Sequence, residues 1–140
     1  MKITITTKPI SEMRFTTAGD WLQHDDGSYE IQLVETPDAR YWWIVLLHEM
    51  VEFAWCQWKG ISAKEADEFD ALWEAEIELG MQRPEVEAGF DPRCPYRGGH
   101  ELGAMTERIM CACLGVDWDE YNDYWDSFFR NMVESRHGKI

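Results

Sequence analysis

A chain of 140 residues is long enough to bury one hydrophobic core without staples, and residues 1–140 are read as a single domain. Twenty-seven acidic against thirteen basic side chains leave a formal charge of −14, which repels phosphate backbones and anionic headgroups and disfavours direct nucleic-acid or membrane-surface binding. Eight Trp, five Tyr and six Phe argue against an acidic disordered tail, so the charge fits a cation, a basic protein partner or solubility alone.

The first third is β-rich. "ITIT" (3–6), "MRFTT" (13–17) and "SYEIQLVET" (28–36) are the expected strands, the last alternating Tyr29, Ile31 and Leu33 against Glu30 and Gln32, with "HDDGS" as the hairpin turn between the second and third. A helix is expected from about residue 40 to 58, with Asp38 as N-cap and Gly60 past its end. The next begins with a capping box, Ser62 and Glu65, and stops at Gly80. Residues 83–99 hold three of the five prolines and read as a long functional loop. A third helix is expected over 99–114, and a fourth over "WDEYNDYWDSFFRNMVESR", where Trp118, Tyr121, Trp125, Phe128 and Phe129 recur at helical spacing as core packing. The fold class expected is α+β: a small N-terminal antiparallel sheet packed against about four helices.

Cys56, Cys94, Cys111 and Cys113 are expected as free thiols in a cytoplasmic, reduced protein, because "MKITITTKPI" lacks the apolar stretch of a secretory leader. Cys111 and Cys113 point to different faces of a helix, and the C-x-x-C spacing of structural zinc sites is missing. The most apolar run, "YWWIVLL", is seven residues long, far short of the ~20 that cross a bilayer.

The chemistry concentrates in "LLHEMVEFAW" (46–55). On a helix, His48 and Glu52 share a face one turn apart, and Glu49 lies about 100° round. This is the H-E-x-x-H geometry with its second ligand exchanged for a carboxylate, which zinc accepts at nearly the same distance as imidazole. A further imidazole is available from His100, which shares a face of the third helix with Ala104, Glu107 and Cys111; the small Ala104 is read as permitting close helix approach. Glu107 either ligates or holds the tautomer of His100. On the second helix Asp67, Asp70 and Glu74 form an acidic stripe that either joins the site or faces water. The ligands expected are His48, Glu52 and His100, with Glu107 or Asp70 next, around a divalent metal: zinc first, then manganese, iron(II) or magnesium. Glu49 is the candidate general base. Tyr96, just ahead of His100, is assigned by position as a donor to a developing oxyanion.

The order of elements, a small sheet whose last strand feeds a helix opening "RYWWIVLLHEMVE", resembles the core of the minimal zincin metalloproteases over roughly residues 28–58. That resemblance implies zinc at His48, water activation by Glu49 and cleavage of a peptide or amide bond, with Glu52 standing where a second histidine is usual. The chain, with "DPRCPYRGGHELGAMTERI" and "GVDWDEY", also resembles small phage and prophage proteins, which implies no activity. A second resemblance lies in "EMVE" (49–52) and "DEFD" (67–70), similar to the paired carboxylate motifs of the MazG-like nucleotide pyrophosphatases; it implies magnesium held by Glu49, Glu52, Asp67 and Asp70. A third function class needs no metal: an acidic, DNA-mimicking module that occupies a basic protein surface.

Overall fold

In the computed structural model, which describes residues 1–137, strands precede helices. The strands are β1 (Ile3–Lys8), β2 (Gly19–Gln23) and β3 (Tyr29–Val34); the helices are α1 (Ala39–Lys59), α2 (Ala63–Glu78), α3 (Arg97–Leu114) and α4 (Trp118–His137). The class is α+β, as composition and patterning lead one to expect. No helix among the described residues is long and apolar enough to cross a membrane.

The sheet departs from expectation in two ways. It is mixed rather than wholly antiparallel: β3 inserts between its neighbours, pairing parallel with β1 and antiparallel with β2. Patterning reports which residues alternate across a strand but not which strand takes the centre. The second strand also begins later than "MRFTT". Thr16 gives its backbone N–H and its hydroxyl to Glu74 at 2.9 and 2.7 Å, and the Thr17 hydroxyl bonds the Gly19 carbonyl at 2.7 Å. These side-chain bonds compete with ladder pairing, so pairing starts at Gly19.

Central β3 carries the most buried strand residues, Ile31 and Leu33, each 1% exposed. With Trp21 of β2 they face α1, where the Phe53 ring meets Trp21 and Tyr29 edge-on at 5.4 and 4.9 Å. Asp38 caps α1 by accepting from the Arg40 N–H, and Gly60 closes it at φ 74° in the left-handed region that glycine adopts without strain. The capping box of α2 is present in full. Aromatic residues of α4 seat on the start of α1, with Tyr41 edge-on to Tyr121 and Tyr124 at 5.0 and 5.2 Å.

What positions the site is the crossing of α1 and α3. They run antiparallel, with Gly103 facing His48 and Gly98 and Gly99 facing Trp55. A Cβ at Gly103 would lie 2.8 Å from the His48 ring, and one at Gly99 would lie 3.2 Å from the Glu52 carbonyl oxygen. The close approach expected of Ala104 therefore belongs to its neighbour Gly103, together with Gly99.

Candidate metal centre

Three ligand atoms converge where α1 meets α3. His48 Nε2 lies 3.2 Å from Glu52 Oε2 and 3.2 Å from His100 Nδ1, and His100 Nδ1 lies 3.0 Å from Glu52 Oε2. The triangle is nearly equilateral and its three residues are buried. A cation ~2.1 Å from each of three ligands holds them about 3.0 Å apart on an octahedral face and about 3.4 Å apart in a tetrahedron, so these edges fit either geometry.

The surroundings aim the ligands. His48 Nδ1 is hydrogen-bonded to the Glu107 carboxylate, which in turn accepts from the Tyr121 hydroxyl at 2.7 Å. With Nδ1–H donated to Glu107, the Nε2 lone pair of His48 points into the triangle; this is the carboxylate–histidine arrangement that fixes a tautomer behind a metal. Glu107, expected beside His100, is instead bonded to His48. The Trp21 indole N–H donates to the other oxygen of Glu52 at 3.3 Å, leaving Oε2 for the triangle. His100 is aimed differently: its Nε2 is buried without a hydrogen-bond partner, the nearest carboxylate being Glu87 at 3.8 Å. Its ring lies against the backbone of Gly89, where a Cβ would come within 2.1 Å, and edge-on to Phe90 at 4.6 Å.

Electrostatics at the triangle favour positive charge. Burial opposes protonation of both imidazoles, yet Glu107 and Glu52 hold His48 well above its ordinary range, and Glu52 and Glu87 raise His100 to about 10. Burial pushes Glu52 up, but bonds from His100 and His48 outweigh it and bring the carboxyl down to about 2.

Glu49 lines the same cavity, which measures about 120 Å³, enough for an ion and several waters. It is 7% exposed and has no hydrogen bond or ion pair among the described residues. Burial and the neighbouring Glu52 charge hold its carboxyl well above the carboxylate range. Its side chain lies against Gly19, where a Cβ would come 2.7 Å from Glu49 Cγ. Each of His48, His100 and Glu49 is therefore floored by a glycine: Gly103, Gly89 and Gly19. Nothing in the sequence marks these contacts, beyond the glycines clustered around His100.

Other candidates stand apart from the triangle. Asp70 accepts the Tyr96 hydroxyl, and the two close the cavity wall together. The Tyr96 O–H, expected to face a developing oxyanion, is donated to Asp70. Asp67 is bound by Arg14 at 3.0 Å, and Glu74 by Arg136 at 2.6 Å and by Thr16. Of the four carboxylates of the MazG-like reading, Glu52 bonds two histidines, Asp67 an arginine and Asp70 a tyrosine. The buried Cys94 thiol is pushed up to about 12 by burial, the opposite of an activated nucleophile. No protein-family model, curated protein or solved structure matches the chain, so the reading of this centre rests on its own geometry.

Proposed function

We propose that the protein is a mononuclear metal-dependent hydrolase acting on a peptide or amide bond, with a divalent cation, zinc first, held by His48 Nε2, Glu52 Oε2 and His100 Nδ1. The observation that carries this reading is the 3.0–3.2 Å triangle of two imidazole nitrogens and one carboxylate oxygen, with the far nitrogen of His48 tied to Glu107. Two histidines and a glutamate are a donor set of hydrolytic zinc, which keeps a coordination position open. Here the set is distributed as His and Glu on one helix and His on another.

A divalent cation at such a site supplies Lewis acidity, lowering the pKa of a water and polarising a carbonyl oxygen. The protein's own contribution is then order and proton handling. Glu49, on the cavity wall beside His48, would take the proton from the attacking water and return it to the leaving amine, provided a bound cation offsets the burial and the Glu52 charge that hold its carboxyl up and so keeps it ionised. Glu107 and Tyr121 hold the His48 tautomer, and Trp21 holds the Glu52 rotamer. Among the described residues the cavity wall bears no Lys or Arg, so none of them competes with a cation there.

Elemental analysis of protein purified without chelator tests the centre. One equivalent of zinc, manganese or iron is expected, and it is lost in the His48→Ala, His100→Ala double variant. Folded protein that binds none of these metals overturns the reading. The activity is tested separately on casein-like peptides, where Glu49→Gln should retain metal and lose turnover. Hydrolysis of deoxynucleoside triphosphates instead, with magnesium preferred, would restore the nucleotide reading.

A further inference from the structure

The side of the α1–α3 pair turned away from the sheet has no cover. At 100° per residue, positions 43, 47, 50, 54 and 58 of α1 fall within an arc of about 80°, on the opposite side of His48 from Val45, Glu49 and Phe53. On α3, positions 102, 105, 106, 109 and 113 fall on the opposite side of Gly103 from His100, Glu107 and Cys111. Because the helices are antiparallel and meet along Gly99 and Gly103, these two arcs lie side by side as one continuous face.

Its composition is out of keeping with the rest of the surface. Charged residues make up 29% of the chain, yet none of those ten positions carries one. Trp43 is 55% exposed, Met50 44%, Trp58 79%, Leu102 44%, Met105 63% and Ile109 61%. With large side chains at roughly 150–250 Å² each, these six leave on the order of 700 Å² of apolar surface in water. That exceeds the largest apolar patch of a typical monomer, about 300–600 Å², and approaches the ~800 Å² that each partner of a stable complex contributes.

We infer that this face is a dimer interface, occupied by the same face of a second copy of the chain. A two-fold contact needs only one self-complementary surface, and two antiparallel helix pairs laid face to face make a four-helix layer by ordinary ridge-into-groove packing. Charge points to the same occupant. Two molecules of −14 repel wherever their acidic surfaces meet, and this uncharged face is where that repulsion is least. An anionic bilayer, the other apolar partner to consider, is repelled by the surrounding acids. The inference is independent of the metal reading, since the face lies on the other side of the helix pair from the site.

Sedimentation velocity on the full chain at about 1–100 µM and physiological salt decides it. The expected result is a species of twice 16.5 kDa. The Met105→Glu, Ile109→Glu variant should sediment as a monomer with unchanged circular dichroism, its dissociation constant raised at least about 100-fold. Should that variant fold poorly, Trp58→Glu at the most exposed of the six positions replaces it. A wild-type monomer throughout the range overturns the inference, as does a dimer untouched by these variants. Flotation of the wild type with vesicles of phosphatidylcholine, as a monomer, also overturns it and assigns the face to a membrane.

Discussion

The acids of α1 and those of α2 are treated in opposite ways. On α2, Asp67 meets Arg14, Glu74 meets Arg136, and Glu76 takes both amino groups of Arg93 at 2.9 Å. On α1, Glu49 and Glu52 are more deeply buried, and among the described residues neither meets a lysine or arginine; Glu52 faces two histidines and an indole, and Glu49 no donor. Burying a carboxylate without a fixed cation is costly unless a cation arrives from elsewhere or a proton stays on. The contrast teaches that an acid-rich chain ties the buried and part-buried carboxylates of α2 into the fold with arginines, or for Asp70 with the Tyr96 hydroxyl, and leaves the buried pair on α1 with neither among the described residues.

Removing the histidines should break the contrast most. His48→Ala with His100→Ala leaves Glu52 as the sole ligand, and metal affinity measured by competition with a chromophoric chelator should fall at least about 1,000-fold, or about 4 kcal/mol. Next comes the glycine beneath His48. A methyl group at position 103 meets the ring at 2.8 Å, so Gly103→Ala should force the helices apart and destabilise the fold by about 1–3 kcal/mol, seen in urea unfolding, while also weakening metal binding. Ala104→Ser, one position on, should do neither.

Glu107→Gln sharpens the comparison, since it keeps shape while removing the charge behind His48. Metal affinity should drop 10–100-fold, about 1.4–2.7 kcal/mol, with thermal stability of the metal-free protein little changed. Arg14→Ala should do the reverse: melting shifts down by about 1–2 kcal/mol as buried Asp20 and half-buried Asp67 lose their partner, while metal affinity holds.

The smallest effect concerns Asp70, whose carboxyl burial raises to about 7 despite the bond from Tyr96. A carboxyl with a folded-state pKa above its unfolded value binds protons more tightly when folded, so its contribution to stability falls as pH rises from about 4 to 7 and is flat above. Asp70→Asn should remove that slope and raise the melting temperature above pH 7 by roughly 2–4 °C. Parallel melting curves for wild type and variant at pH 5 and pH 8 would contradict it.

How much of this was legible in the sequence depends on what kind of interaction carries each feature. Helix α1, its Asp38 cap and the shared face of His48 and Glu52 follow from period and capping chemistry, which are local. The capping box of α2 is legible for the same reason, whereas the meeting of His100 with His48 and Glu52 joins residues 52 and 48 apart and is legible only as residue chemistry, not as any local pattern. The parallel pairing of β1 with β3 is not legible, because it depends on which strand the helices cover. The displacement of β2 to Gly19 arises from Thr16 bonding Glu74 on α2, 58 residues away. The bond of Tyr96 to Asp70 is not legible either, since the two residues are 26 apart and meet only through the fold. The glycines under the functional residues were the largest omission: a glycine announces an absence of side chain, and only coordinates say what fills the space.

The two histidines are held by different means, and this separates what would unsettle them. His48 answers to Glu107, so its orientation is a matter of charge and protonation. His100 bonds Glu52 through Nδ1, but its Nε2 has no hydrogen-bond partner among the described residues; instead the ring packs on the Gly89 backbone and edge-on to Phe90, both in the short turn of residues 88–90. Turning the ring would press on that short turn. Slow amide exchange in that short turn would therefore report the aim of the ligand, and warming, before acid, is what should first let it slip.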